Sequence, residues 1–209
     1  MIEIQIVKCI LKNLLLYDII EEKTKGYEMK LLICSDIHGD FDCCSKIVSV
    51  FKSGNYEKLV ILGDVLYHGP RNDLPNGYQP KKVIELLNEI SDHILAVRGN
   101  CDTEVDQMVL NFPVLSDYSL IYADGLRIYA THGHKFNTQT VTKMQKGDIL
   151  LHGHTHIPVF EEFGNNNVYI NPGSVSIPKG GYPKTYIDYC DGEFSIVDFD
   201  GNVIMKRNF

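Results

Sequence analysis

The sequence predicts an α/β chain whose first half is wound from β-α-β units and whose second half is mostly antiparallel, as two packed sheets flanked by helices. Three observations predict it. Short apolar runs alternate with helix-spaced segments between residues 30 and 97, the pattern of a parallel sheet with crossover helices. Strand-like segments separated by Asn-Asn and Asp-Gly turns fill the chain beyond residue 158. Polar residues of metal-binding type stand just past the ends of the predicted strands.

Each element has its own signal. Lys30 to Ser35 is a short apolar run, read as a buried strand. Phe41 to Phe51 carries apolar residues at helical spacing, and Lys58 to Leu62 is the second strand, closing on Gly63-Asp64. Val65 to Gln79 is a loop rich in Gly, Pro and Asn. Pro80 opens a helix through Ile90, the first-turn position that suits proline. His93 to Val97 is the third strand, and Thr103 to Asn111 a short helix. Tyr118–Ala123 and Leu126–Thr131 form a hairpin around Asp124-Gly125. A helix is expected near Thr138 to Gln145, then a strand from Asp148 to His152. Val159–Glu162, Asn167–Ile170, Lys184–Cys190, Glu193–Phe199 and Val203–Lys206 complete the strands.

Composition narrows the function classes. The 209 residues carry a formal charge of −7, which argues against a polyanionic partner such as nucleic acid. Bound cations can still draw a small phosphorylated substrate, because they supply the local positive charge. The six cysteines include no C-x-x-C pair, and no secretory apolar region is visible, so a reduced, cytoplasmic setting is expected. Cys9 to Ile20 is too short and too polar to span a bilayer, so no membrane role is expected. The chain is compatible with a homo-oligomer, and nothing in it fixes that state. Residues 29–209 read as one domain. Residues 1–28 read as an extension with two explanations: a docking arm, or chain preceding a true start at Met29. Lys25-Gly26 would encode a purine-rich ribosome-binding sequence under the second. Mass spectrometry of the native protein separates them.

The chemistry lies at the strand ends. Asp36 and His38 follow the first strand, Asp64 the second, Asn100 the third, His132 the hairpin strand, and His154 with His156 the next. In open α/β sheets ligands gather beyond the carboxyl ends of strands. The two-residue spacing of Asp36/His38 and His154/His156 would point both side chains one way in an extended segment. Gly39, Gly63, Gly99, Gly133 and Gly153 would permit sharp turns beside them. Asp, His and Asn make a mixed N/O ligand set that suits Mn, Fe, Zn, Co or Ni better than Ca or Mg.

Ser35-Asp36-Ile37-His38, Gly63-Asp64, Gly99-Asn100-Cys101-Asp102, Thr131-His132-Gly133-His134 and Gly153-His154-Thr155-His156 resemble, in order, the motifs of the calcineurin-like metallophosphoesterase superfamily. His68-Gly69-Pro70-Arg71-Asn72 and the run Asn171 to Gly181 are similar to bacterial YfcE-type phosphodiesterases. The resemblance implies a four-layer α/β/β/α sandwich of two mixed β-sheets, metallophosphoesterase-like. It implies two divalent ions, manganese first among them. One would take Asp36, His38 and His156, the other Asn100, His132 and His154, with Asp64 bridging. A hydroxide between the ions would attack phosphorus in a small phosphodiester. A phosphomonoesterase or a cyclic-nucleotide diesterase on the same site is the alternative, and a metal-poor interaction scaffold the rival from another class.

Four neighbours complete the expectation. Cys101 replaces the His that many superfamily members carry there as phosphate contact and general acid. A thiol is a doubtful proton donor, so esters with good leaving groups, such as aryl diesters, are the expected substrates. Asp102 is expected to orient a ligand His, with a turn-forming role as its alternative. His134 contacts substrate or serves as a turn residue, and Arg71 is the favoured phosphate contact. Arg98 has a surface ion pair as its alternative, and His68, His93 and His152 read as structural.

Overall fold

The structure is a computed structural model that describes residues 29–141 and 143–209. The extension at residues 1–28, with its docking-arm and alternative-start readings, lies outside them. Six strands form one sheet in the order β11-β10-β9-β1-β2-β3, and five form a second in the order β4-β5-β6-β8-β7. In the first, β1 (Lys30–Cys34), β2 (Lys58–Ile61) and β3 (Ile94–Ala96) run parallel. Then β9 (Thr185–Cys190), β10 (Glu193–Asp198) and β11 (Val203–Asn208) extend it antiparallel. The second sheet holds β4 (Tyr118–Ala123), β5 (Leu126–Thr131), β6 (Ile149–His152), β7 (Val159–Phe163) and β8 (Asn167–Asn171).

Both sheets are mixed. The second half is mostly antiparallel, as expected, with one exception: β5, β6 and β8 run parallel to one another. Apolar alternation on the strands could not show this, since a strand's direction depends on its connection rather than its pattern.

β1 is apolar throughout because both its faces are covered. Leu32 and Cys34 turn toward the helices, while Leu31 and Ile33 turn toward the second sheet. The helix layer is α1 (Phe41–Ser53) packed beside α2 (Pro80–Asn88). Asp40 caps α1 by accepting from Cys43 N, and Cys43, Cys44, Ile47, Val48 and Phe51 form its buried face. α3 (Glu104–Val109) starts where Asp106 reaches back to Thr103 N. Between the sheets, Ile128, Ala130, Ile149, Leu151, Val168 and Ile170 meet Ile187, Phe194 and Ile196.

The helix expected at Thr138–Gln145 is not formed by the described residues, which make turns and bends there. Local side-chain bonds compete with it: Thr140 Oγ1 donates to Lys135 O, Asn137 N to Thr140 Oγ1, and Gln139 N to Asn137 Oδ1. Phe136 instead meets Tyr118 edge-on, and Val141 lines a cavity with Tyr118 and Tyr129. No disulfide forms among the described cysteines. No helix among the described residues is long and apolar enough to cross a membrane.

Candidate metal centre

The carboxyl ends of β1, β2, β3, β5 and β6 converge between the two sheets, and each delivers a polar loop. The loops are not extended. Asp36, His38, Asp64, His154 and His156 all sit in the left-handed region, at φ 58°, 49°, 54°, 66° and 61°. The two-residue spacing therefore acts through tight left-handed turns, not through strand alternation. Asp and His tolerate this region better than most residues, yet each such position stores strain of about 1 kcal/mol. Clustered strain of this kind marks sites where side-chain placement overrides backbone comfort.

Glycine serves the site by close approach. Gly99 and Gly153 have ordinary φ, in contrast to the sharp turn expected of them. A Cβ at Gly99 would collide with the Asp64 carboxylate, and one at Gly153 with Ser35 Oγ and the Asp36 carboxylate. Gly153→Ala is therefore expected to lower stability by about 1–3 kcal/mol through overpacking. Denaturant unfolding of the metal-stripped protein checks this; an unchanged midpoint would contradict the close approach.

The side chains form a tight cluster. Asp36, His38 and His156 bring their ligand atoms within 4.8 Å of one another, as do Asp36, Asp64 and His132, and likewise His38, Asp64 and Cys101. Asp64 Oδ2 lies 3.5 Å from His132 Nε2 and 3.8 Å from His38 Nε2. His132 Nε2 faces Asn100 Oδ1 at 3.0 Å and His154 Nδ1 at 3.2 Å. The seven residues that sequence reasoning placed at strand ends thus all meet in one place.

Their hydrogen bonds select the ring form a cation needs. Nδ1 of His38, His132 and His156 donates to the carbonyls of Tyr67, Leu62 and Ile177 at 2.8, 2.6 and 2.6 Å. A carbonyl only accepts, so each Nδ1 keeps its proton and Nε2 is the nitrogen each ring turns inward, open to a cation once any proton it carries has left. Nε2 of His38 and of His156 then face each other at 3.4 Å. Two lone pairs at that distance require a proton or a cation between them. Asp36 Oδ1 is buried and accepts no hydrogen bond, although His156 Nε2 lies 3.2 Å away. The donor set and this orphaned oxygen fit divalent cations.

Electrostatics agree. Burial alone would raise the Asp36 and Asp64 carboxyls, but the surrounding imidazoles outweigh it and hold both below the usual range. Burial would lower His132; the Asp64 and Asp36 carboxylates reverse that and push it up to about 9. Burial, with the charges of His132 and His154, pushes His134 down to about 4. Burial and the Asp64 carboxylate both push the Cys101 thiol up.

Asp102 takes the turn-forming alternative further than the orienting of a histidine. Its carboxylate accepts from Asp64 N, Val65 N and Gly99 N at 2.8, 2.9 and 2.7 Å, so it ties the β2 and β3 loops together. Burial raises it to about 6 in spite of those donors. Arg98 turns away, donating to Asp102 O and pairing with Glu104. His134 stays beside the cluster, its ring centroid 5.4 Å from that of His132. The Asn171–Ser174 turn braces rather than lines the site: Asn171 Nδ2 donates to Gly153 O, and Ser174 and Ser176 hydroxyls to Asp36 O. His152 stacks on Tyr169 and His93 bonds Glu57 O, both as structural residues. His68 packs between Tyr67 and Tyr78.

Above the cluster opens a cavity of about 380 Å³ lined by Asp64, Asn100, His154, His156, Arg71 and Lys179, among others. Arg71, the expected phosphate contact, lies on this cavity. Lys179 was missed, and its place before two glycines near the end of the Asn171–Gly181 run was the available signal.

The family model of the calcineurin-like phosphoesterase superfamily domain matches residues 29–189. Phosphodiesterase YfcE from Escherichia coli K12 is 49% identical over 179 residues, spanning 86% of this chain and 97% of that protein. Phosphodiesterase MJ0936 from Methanocaldococcus jannaschii is 27% identical over 152 residues, spanning 69% of this chain and 83% of that protein. The solved structure of the E. coli phosphoesterase Yfce superposes with a TM-score of 0.83 at 44% identity, covering 86% of this chain and 99% of that one. The chain belongs to the calcineurin-like phosphoesterase superfamily and is a phosphoric ester hydrolase.

Proposed function

We propose that this chain is a cytoplasmic phosphodiesterase that hydrolyses small phosphodiesters with two divalent cations, manganese foremost. Asp36, His38 and His156 would hold one, Asn100, His132 and His154 the other, with Asp64 within reach of both groups. The observation that carries the reading is the set of three imidazoles whose Nδ1 protons are fixed on backbone carbonyls, so that Nε2 is the nitrogen aimed at the buried carboxylates. Bound there, the cations supply Lewis acidity toward the phosphoryl oxygens and a lowered pKa for water.

The chain's own groups do the rest. Arg71 and Lys179 reach the cavity above the cluster and bind non-reacting phosphoryl oxygens. His134, held neutral by burial, stands ready to hydrogen-bond an ester oxygen without adding charge. Ser174 and Ser176 pin the Asp36 carbonyl and so fix the first loop. Cys101 lies within the cluster, but its raised thiol is a weak acid and a poor proton donor.

The test is an Mn²⁺-dependent assay on a bis-aryl phosphate, beside an alkyl diester. Good leaving groups are expected to react well and alkyl leaving groups slowly. Cys101→His is expected to raise the alkyl rate by about 10²-fold or more, the usual worth of a positioned general acid. No hydrolysis of the aryl ester with Mn²⁺ would refute the function; an unchanged alkyl rate in Cys101→His would refute the role given to Cys101.

A further inference from the structure

A second cavity, about 420 Å³, adjoins the first. Arg71 and Asn72 line both, so the two spaces meet at this pair of side chains. Its floor includes Ser176, the residue whose hydroxyl holds the Asp36 carbonyl. A ligand anchored at the metal-type cluster can therefore extend past Arg71 into it.

Its walls are fixed. Phe41 N donates to Gly77 O at 2.8 Å, Gln79 N to Gly39 O at 2.9 Å, and Asn72 Nδ2 to His68 O at 2.8 Å, which pins the 68–79 loop along its length. Leu74, Pro75 and Ile177 give the cavity an apolar side. Leu74 is 58% exposed, an apolar side chain kept in solvent on an ordered loop. The charges cancel: Arg71 and Lys184 face Asp40 and Asp73, and Lys184 Nζ lies 3.8 Å from Asp40 Oδ2 with Cys43 Sγ at 2.9 Å. With the opposed charges on its polar side, the cavity leaves the Leu74, Pro75 and Ile177 side as the place where an uncharged group with an apolar face can lie.

We propose that this cavity is the subsite for one alcohol arm of the phosphodiester, that it takes an uncharged aromatic arm, and that Leu74 and Ile177 set that preference. The proposal rests on the phosphodiesterase reading above and names its substrate class. A monoester has no second arm to place here.

Three substrates with the same p-nitrophenolate leaving group and a methyl, phenyl or no second arm test it, in Mn²⁺, each rate divided by its uncatalysed rate. The wild type is expected to prefer the phenyl over the methyl arm by about tenfold or more, mostly through KM, the scale of apolar contacts in a pocket. Leu74→Asp and Ile177→Ala are each expected to shrink that ratio by about tenfold. A wild-type ratio near one, or a ratio unmoved in both folded variants, overturns the subsite while leaving the diesterase reading intact. A wild type that cleaves neither diester overturns that reading as well. Leu74 lies on an exposed loop, so Leu74→Asp keeps the test alive if Ile177→Ala does not fold.

Discussion

Asp64→Asn is expected to cut kcat/KM on an aryl phosphodiester by about 10³-fold, as loss of about 4 kcal/mol of charge stabilisation would require. The geometry singles this residue out. Its Oδ1 accepts from Cys101 N at 2.8 Å, while Oδ2 faces the imidazoles of His132 and His38 from between the two groups. Asparagine keeps the shape and can keep the Cys101 bond through its carbonyl. What disappears is the negative charge that both cations would share. The variant should fold normally by circular dichroism and bind less Mn²⁺. A folded variant within tenfold of wild-type activity would show that Asp64 is not shared.

Asp102→Ala is the largest expected change in stability. Three buried backbone N–H groups, from Asp64, Val65 and Gly99, donate to this one carboxylate. An unsatisfied buried donor costs about 1–3 kcal/mol, so with partial rescue by water the total loss should be roughly 3–5 kcal/mol. Denaturant unfolding measures it. Asp102→Asn should fall between, because an amide presents N–H to at least one of the three donors. A loss below about 1 kcal/mol in Asp102→Ala would contradict the brace, since even one orphaned donor should cost that much.

Much of this was legible in the sequence for physical reasons. Buried parallel strands are short apolar runs, and β1 and β2 fell where those runs stand. The Asp-Gly hairpin was placed to the residue, because Asp124 and Gly125 both take positive φ. Asp and His at strand ends were informative because few structural roles favour them there. The misses share a cause: they are decided by contacts distant in sequence or by local competition. Asp102 reads as an orienter of histidine or a turn residue from its position, and only the fold shows its carboxylate taking backbone donors from its own loop and from the loop after β2. The parallel run of β5, β6 and β8 inside a mostly antiparallel half depends on connections. The helix expected at 138–145, which the described residues do not form, has four β-branched residues in Thr138, Thr140, Val141 and Thr142, and Thr140 and Asn137 spend their side chains on nearby backbone. Lys179 had only its place in the Asn171–Gly181 run as a signal, and a lysine in a loop gains meaning only when the loop's position is known.

The most direct test is a calorimetric titration of Mn²⁺ into the metal-stripped chain between pH 6 and 9. Without metal, His132 holds a proton up to about pH 9, stabilised by Asp64 and Asp36. A cation must displace that proton, so affinity should rise with pH, by about tenfold per unit for one proton released, and level off near that value. The same shift stabilises the metal-free fold below pH 6.5 and loses that contribution as pH climbs through about 9. The expected result is two Mn²⁺ per chain with proton release, reduced in Asp64→Asn. Binding of no ion, or binding whose affinity is the same at pH 6 and pH 9, would contradict a metal centre built on these histidines.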